Sequence, residues 1–399
     1  MGHHPYYRLN PSRAVYISGT INADLLSRVT PQILKLQTAN RDPITVYIDS
    51  GGGNVRVMEK LLRALKLSDQ DSSEPCHIIT AVTNRAASAA ADLLSSGDYA
   101  IAYPHTAILY HGIRTQENDP LTVESTSILS NILRRSNDIY AVQLARKIDD
   151  RFSYRFLIAR NGFQEIRDKA ADQQMSDLEC FIDFIDGKLS TEAKKVWRRT
   201  KERHARYRDL FDTVLKRVKG NFAKMSMAQA EGIAIKAIVE FECKANKGDA
   251  NWSFRGGGME RLNEDFFLFN EYLSDLGGGR TKRWSTDFGK MLLPADAVDE
   301  LDGIADEKER NQKLAEKAGP ILEPLASFFA ALCHALQEGE NELTATDAYW
   351  LGLIDEVVGE DHLLCLRHFE ENPPKNEEEE KEQSNEQPKT GTETGPTEN

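Results

Sequence analysis

The 399-residue sequence predicts an α/β protein, and three features carry that prediction. Short runs rich in β-branched and aromatic residues alternate with helical patterns from Ala14 to Ile148. Those helical patterns are long enough to serve as crossover connections. Glycine or small-residue segments mark the strand-to-helix junctions, notably Gly51-Gly52-Gly53 and Ala86–Ala91. Crossovers of this kind join parallel strands, so a largely parallel sheet is expected.

Ala14–Ser18 (AVYIS) reads as the first strand. Asn22 then opens a helical pattern with Leu25, Leu26, Val29, Ile33, Leu34 and Leu36 on roughly one face. Pro31 lies inside this pattern and predicts a kink or a late start. Ile44–Asp49 (ITVYID) is a second strand, ended by the glycine run. Val55 to Leu67 is helical, with Val57, Leu61, Leu62 and Leu65 at core spacing. His77–Val82 (HIITAV) is a third strand, followed by Thr83-Asn84-Arg85 as a turn and then the small-residue segment. Tyr99–Ala102 and Ala107–Tyr110 are further strands, and Pro120 precedes a long amphipathic helix to about Ile148.

Beyond Asp149 the chain changes character and reads mostly as helix to His334, with turns or hinges at Gly256–Gly258 and Gly277–Gly279. Lys188 to Lys224 holds 13 Lys/Arg against four Asp/Glu. A solvated helical face is the plain reading, and a docking surface for an acidic partner or nucleic acid the alternative. After Phe369 the chain turns to Pro-Pro, the Glu377–Glu380 run, then Gly, Thr, Ser and Asn. Such a segment buries too little apolar surface to offset its ordering entropy, so residues 370–399 are expected to form a disordered acidic tail.

Composition is that of a soluble protein, 40% hydrophobic and 28% charged. A formal charge of −13 argues against general nucleic-acid binding. The five cysteines are scattered without a CxxC spacing, so no metal site and no disulfide framework is expected. No secretory signal is visible, and the longest apolar run, Leu325 to Leu336, is too short to span a bilayer. These readings place the protein in a reducing compartment, the cytoplasm, with no membrane partner and no cofactor.

Three residues or segments could carry chemistry. Ser88 follows a strand and opens the helix Ala89, Ala90, Ala91, Leu93, Leu94, where free N–H groups and the helix dipole converge on a developing oxyanion. A serine at a helix start is more often a cap. Ser50-Gly51-Gly52-Gly53 after a buried strand permits positive φ and exposes N–H groups, although a tight turn explains it as well. His111 directly follows the apolar strand and could accept a serine proton, or could be structural.

Taken in order, DSGGGNV after a strand, TNRAASAAADLLSSG and YPHTAILYH resemble the ClpP family, the proteolytic subunits of Clp proteases. VYISGTINADLLSRVTPQILKLQTAN is similar to that family's first strand and helix, and ELTATDAYWLGLIDEVV to its closing segment. The resemblance implies the ClpP/crotonase fold, a repeated β-β-α spiral. On this view residues 14–148 and 335–369 form the core, and 149–334 is a large helical insertion. It implies a serine endopeptidase with Ser88 as nucleophile, His111 as base and the N–H groups of Gly53 and Ala89 as oxyanion hole. The helix after Pro120 would be the handle through which subunits pair ring to ring. The partners implied are a peptide or unfolded-protein substrate, further copies in a homo-oligomeric ring, and a separate ATPase unfoldase, because no GxxxxGK[ST] motif is present.

Several positions depart from the family pattern. The turn proline is Gly51, the glycine before Ala-Ala-Ser is Asn84, and the residue after the nucleophile is Ala89 rather than Met. Gly112-Ile113 replaces the usual Gln-Pro after the histidine. Gapless alignment puts Glu340 where the family has its catalytic Asp; Glu338, Glu340 and Glu342 equally fit a solvated acidic turn, with Asp347 and Asp355 as other candidates. A glutamate can orient a histidine, as in some α/β-hydrolases. A non-catalytic scaffold subunit, an acyl-CoA enzyme of crotonase architecture and a Ser–Lys mechanism through Lys60 are the competing readings.

Overall fold

The computed structural model describes residues 7–67, 75–114, 122–162, 177–218 and 295–365, with isolated positions at 233, 236–237, 239–240 and 293. Pro120, the Gly256–Gly258 and Gly277–Gly279 turns and the 370–399 tail lie outside the described residues.

Among the described residues, seven strands form one sheet: β1 (Ala14–Ser18), β2 (Ile44–Ser50), β3 (Ile78–Ala87), β4 (Tyr99–Ala102), β5 (Ala107–His111), β6 (Glu340–Thr344) and β7 (Glu356–Val357). The main path runs β1-β2-β3-β4-β7, and every pairing along it is parallel, as the crossover pattern predicts. β5 leaves that path. It pairs parallel with the end of β3 (Ala86↔Ile108, Ala87↔Leu109) and antiparallel with β6 (His111↔Glu340 to Ala107↔Thr344).

Helices α1 (Ala23–Ala39), α2 (Val55–Leu65) and α3 (Ala89–Ser95) connect successive strands. Asn22 and Asn54 cap the first two, each side chain accepting a main-chain N–H three residues on, at 2.9 and 3.2 Å. Pro31 does not delay α1, which starts directly after Asn22. The proline and Ser27, whose carbonyl loses its helical donor, both lie on the exposed face where solvent can serve that carbonyl.

The Thr83-Asn84-Arg85 turn is a correction: β3 remains a strand there and runs on to Ala87. Its pairing with β2 slips between Ile48↔Val82 and Ser50↔Ala86, so the polar triplet bulges outward and is exposed. Asn84 Nδ2 donates to Asp49 Oδ1 at 3.0 Å, which holds the bulge to β2. The bulge lets one strand pair with β4 in its first half and β5 in its second.

The helix expected after Pro120 is longer than its apolar pattern indicated: α4 spans Val123–Gly162. It packs against α3 and α8 (Glu307–Leu336), and α8 lies along α6 (Thr191–Val218). The short helices α5 (Asp177–Lys188), α7 (Ala295–Asp302) and α9 (Ala345–Trp350) complete the described set. A single hydrophobic cluster joins sheet and helices, from Val15, Ile48 and Val82 through Leu93, Leu144 and Phe152 to Phe181, Trp197, Phe328 and Leu332. Its aromatic centre is Trp197, 4.9 Å from Phe328 and 6.3 Å from Phe181 between ring centroids, both edge-on.

Two fully buried or nearly buried arginines on α4 tie this helix to the chain's closing segment. Arg151 pairs with Asp355 at 2.6 Å and donates to the carbonyls of Ser95 and Gly97. Arg155 donates to the carbonyls of Tyr349, Ile354 and Asp355 and lies 3.5 Å from the Tyr349 ring centroid. On α6, Arg199 and Arg203 pair with Glu338, and Arg199 also donates to Asn341 Oδ1 of β6. Part of the basic run is therefore committed to partners within the chain.

Candidate active site

The β3–α3 junction places Ser88. Its backbone stands at φ 56°, ψ −129°, in the region L-residues avoid, and such a conformation costs about 1–3 kcal/mol. Ser88 is the residue before α3, yet its side chain makes no capping bond. The capping explanation of a serine at a helix start is thereby removed. Its N–H donates to the Leu109 carbonyl of β5 at 2.8 Å, and its carbonyl accepts from Ala91 and Asp92. That first bond anchors Ser88 two residues ahead of His111 on the neighbouring strand.

The glycine run packs directly against this serine. A Cβ on Gly52, whose φ is +94°, would stand 2.7 Å from the Ser88 Cβ. Gly53 (φ +151°) passes equally close to Ile21. In the bridge to Ile21 the bonds are Ile21 N–H to Gly52 O and Asn54 N–H to Ile21 O, both 2.8 Å, so the Gly53 N–H takes no part in them. The Ala89 N–H belongs to the first turn of α3, where N–H groups have no intrahelical acceptor. Of the two sequence-predicted donors, Ala89 follows the serine in the chain and Gly53 follows the glycine that packs against it.

His111 ends β5 and is half-buried. Its Nδ1 lies 2.5 Å from the Gly112 carbonyl oxygen. A carbonyl only accepts, so this contact is a hydrogen bond when Nδ1 carries the hydrogen, and in a neutral ring that leaves the lone pair on Nε2. That tautomer is the one a general base requires.

Glu340 is not in an acidic turn but begins β6, directly across from His111 in the antiparallel register. Side chains so paired share one face of the sheet. The Glu340 carboxylate is exposed and engages Arg114, whose hydrogen bond and charge hold its carboxyl below the ordinary range, with smaller help from His111 and Arg85. The other two acids are occupied elsewhere. Asp347 closes the capping box of α9 with Thr344 and binds Ser190, and Asp355 binds Arg151 and the Ala100 N–H. Lys60 is exposed, as its helical position predicted.

Sequence reasoning missed Asp92 and Lys147. Asp92 lies one turn after Ser88 on α3, a spacing that alone puts both on neighbouring helical positions. Burial raises its carboxyl, opposed by the charges of Lys147 and then His111. Burial likewise lowers the Lys147 ammonium, opposed chiefly by Asp92. Asp92 on α3 thus interacts electrostatically with Lys147 on α4 and, more weakly, with His111.

Together these elements define a class of protein: an α/β fold with a strained serine at a strand-to-helix turn and a histidine at the adjoining strand end. Residues 2–150 match the Clp protease family, and over this span the protein is ClpP-like. Among solved structures, a ClpP1 mutant from Listeria monocytogenes is similar at 21% identity, over 35% of this chain and 73% of its own, with a TM-score of 0.29. No helix among the described residues is long and apolar enough to cross a membrane, and none of their His, Cys, Asp and Glu side chains group as a metal site. The cysteines at 76, 180, 333 and 365 are buried, and none of them is in a disulfide.

Proposed function

We propose that the protein is a serine peptidase of the Clp type, acting on peptides or unfolded chains within a homo-oligomeric ring. Ser88 is the nucleophile: its Oγ attacks the peptide carbonyl while His111 Nε2 takes the hydroxyl proton. The N–H groups of Gly53 and Ala89 receive the oxyanion. His111 then returns the proton to the leaving amine, and a water molecule, deprotonated by His111, hydrolyses the acyl ester on Ser88. Glu340, opposite His111 on β6, supplies negative charge beside the imidazolium. The observation that carries this reading is the uncapped Ser88 at φ 56°, because strain of that kind persists where function requires it.

α4 is read as the handle through which two rings meet, with Val123, Ile128 and Ile132 exposed along its first three turns. The helices of residues 149–334 form an insertion on that handle, residues 370–399 form an acidic tail, and a separate cytoplasmic ATPase supplies unfolded substrate. A second reading, a non-catalytic scaffold subunit, is favoured by one observation: the Glu340 carboxylate faces Arg114 rather than His111.

A fluorophosphonate probe separates the two. A peptidase labels covalently, Ser88→Ala abolishes labelling and His111→Ala nearly does. An oligomeric wild-type protein that fails to label, with or without its ATPase partner, would overturn the peptidase reading in favour of the scaffold.

A further inference from the structure

The segment His111-Gly112-Ile113 is held by a side chain from a different element. Asn137, on α4, accepts the Ile113 N–H on its Oδ1 at 2.7 Å. The same amide also lies against Gly112. A Cβ on Gly112 would stand 2.7 Å from Asn137 Nδ2 and 2.7 Å from the Gln337 carbonyl oxygen, so only glycine fits between them. The peptide clamped in this way is the one whose carbonyl meets His111 Nδ1 at 2.5 Å. Rotating that peptide would carry its carbonyl away from the ring and its N–H away from Asn137 together, because the two groups are rigidly coplanar.

We propose that Asn137 is a positioning residue for His111: it fixes the Gly112–Ile113 peptide so that the Gly112 carbonyl, in the place of a carboxylate, holds the proton on Nδ1 and leaves the lone pair on Nε2. A free imidazole has no such constraint and can place its proton on either nitrogen. The Asp92 carboxyl on α3 and the Glu340 carboxyl on β6 both feel the charge of this ring. Neither has a hydrogen bond to the ring, whereas the Gly112 carbonyl does. A neutral acceptor supports imidazolium less strongly than a carboxylate, which makes the position of the peptide the more consequential. The arrangement also links the base to α4, the next element along the chain.

This inference rests on the peptidase reading for its consequence, but its geometry is testable without activity. The full-length protein with ¹⁵N-labelled histidine rings, in a Ser88→Ala background, reports the His111 tautomer by NMR, with His111→Gln assigning the signal. Nδ1–H is expected in the parent. Asn137→Ala should move the ring toward Nε2–H, while Asn137→Asp, which keeps the acceptor for Ile113, should restore Nδ1–H. With Ser88 present, Asn137→Ala should slow fluorophosphonate labelling about tenfold, the equivalent of one lost hydrogen bond. Gly112→Ala, which forces the clamp open, should slow it similarly. An Nε2–H ring in the parent, or an unchanged tautomer in Asn137→Ala, would overturn the inference. A parent with Nδ1–H whose wild type never labels would sink the peptidase reading and leave the clamp standing.

Discussion

Gly52→Ala is the sharpest perturbation of the proposed site. The new methyl would stand 2.7 Å from the Ser88 Cβ, where ordinary contact begins near 3.4 Å, and closer still to the Ala87 carbonyl oxygen. Relieving it displaces Ser88 by roughly 0.7 Å, and misplacement by about 1 Å costs on the order of 10²-fold in rate. The φ of +94° adds strain that glycine avoids, about 1–2 kcal/mol. Acylation by the fluorophosphonate probe should therefore slow by some tens-fold, with a fall of several degrees in Tm. Gly51→Ala is the matched control, because a Cβ there meets nothing within 4 Å and the residue has no positive φ. Stopped labelling time courses on both variants measure the ratio. Equal rates for the two alanines, with Gly52→Ala folded, would refute the idea that close approach of this glycine sets the position of Ser88.

Three further outcomes follow from packing and charge. Arg151→Met leaves Asp355 buried without its cation, so the urea midpoint should fall by the equivalent of about 3–5 kcal/mol, and Arg151→Met combined with Asp355→Leu should recover part of the loss. Trp197→Ala removes the largest fully buried side chain among the described residues and should cost about 3–5 kcal/mol in the same assay. Because that residue shares one cluster with the sheet, far-UV and near-UV signals should fall in a single transition. Glu340→Gln tests the pairing with Arg114: the folded carboxyl is held below its unfolded value, so the stabilisation is present above the ordinary carboxylate range and disappears as pH falls through the lowered value. Wild-type and Glu340→Gln melting temperatures should therefore converge in acid and separate at neutral pH.

The strands were legible because their β-branched and aromatic runs are short and bounded by glycine or polar residues; Ala14–Ser18 and Tyr99–Ala102 stand where the pattern puts them. The polar triplet Thr83-Asn84-Arg85 misleads because a bulge and a turn use the same residue types, and only the β2 partner distinguishes them. The places of Ser88 before α3 and of His111 at the end of β5 were legible, because the strands before them are plainly marked. The direction of the Glu340 carboxylate was not, since it depends on Arg114, which carries no signal beyond its charge. Arg151 and Arg155 look like solvent-facing helix residues until the carbonyls they serve are known. Asn137 and Asp92 belong to the same kind: polar residues whose partners come from other elements.

A strained serine needs a reason to stay strained, and α3 provides it. Seven residues are too few for a helix to hold itself by its own hydrogen bonds. Its far end is pinned instead. Ser95 Oγ and Tyr110 Oη of β5 lie 2.5 Å apart, so one hydroxyl donates to the other, and the accepting one keeps its own proton for a carbonyl, that of Leu353 (Ser95) or Ala91 (Tyr110); Arg151 takes the carbonyls of Ser95 and Gly97. Its near end is fixed by the Ser88 N–H on Leu109 of the same strand. With both ends tied to β5 and α4, rotating Ser88 into a relaxed conformation would break several buried bonds, each worth about 1 kcal/mol, against a gain of about 1–3 kcal/mol. The balance favours the strained state. It also means that residues on α4 and in the closing segment, though remote in sequence, bear on the geometry of the serine.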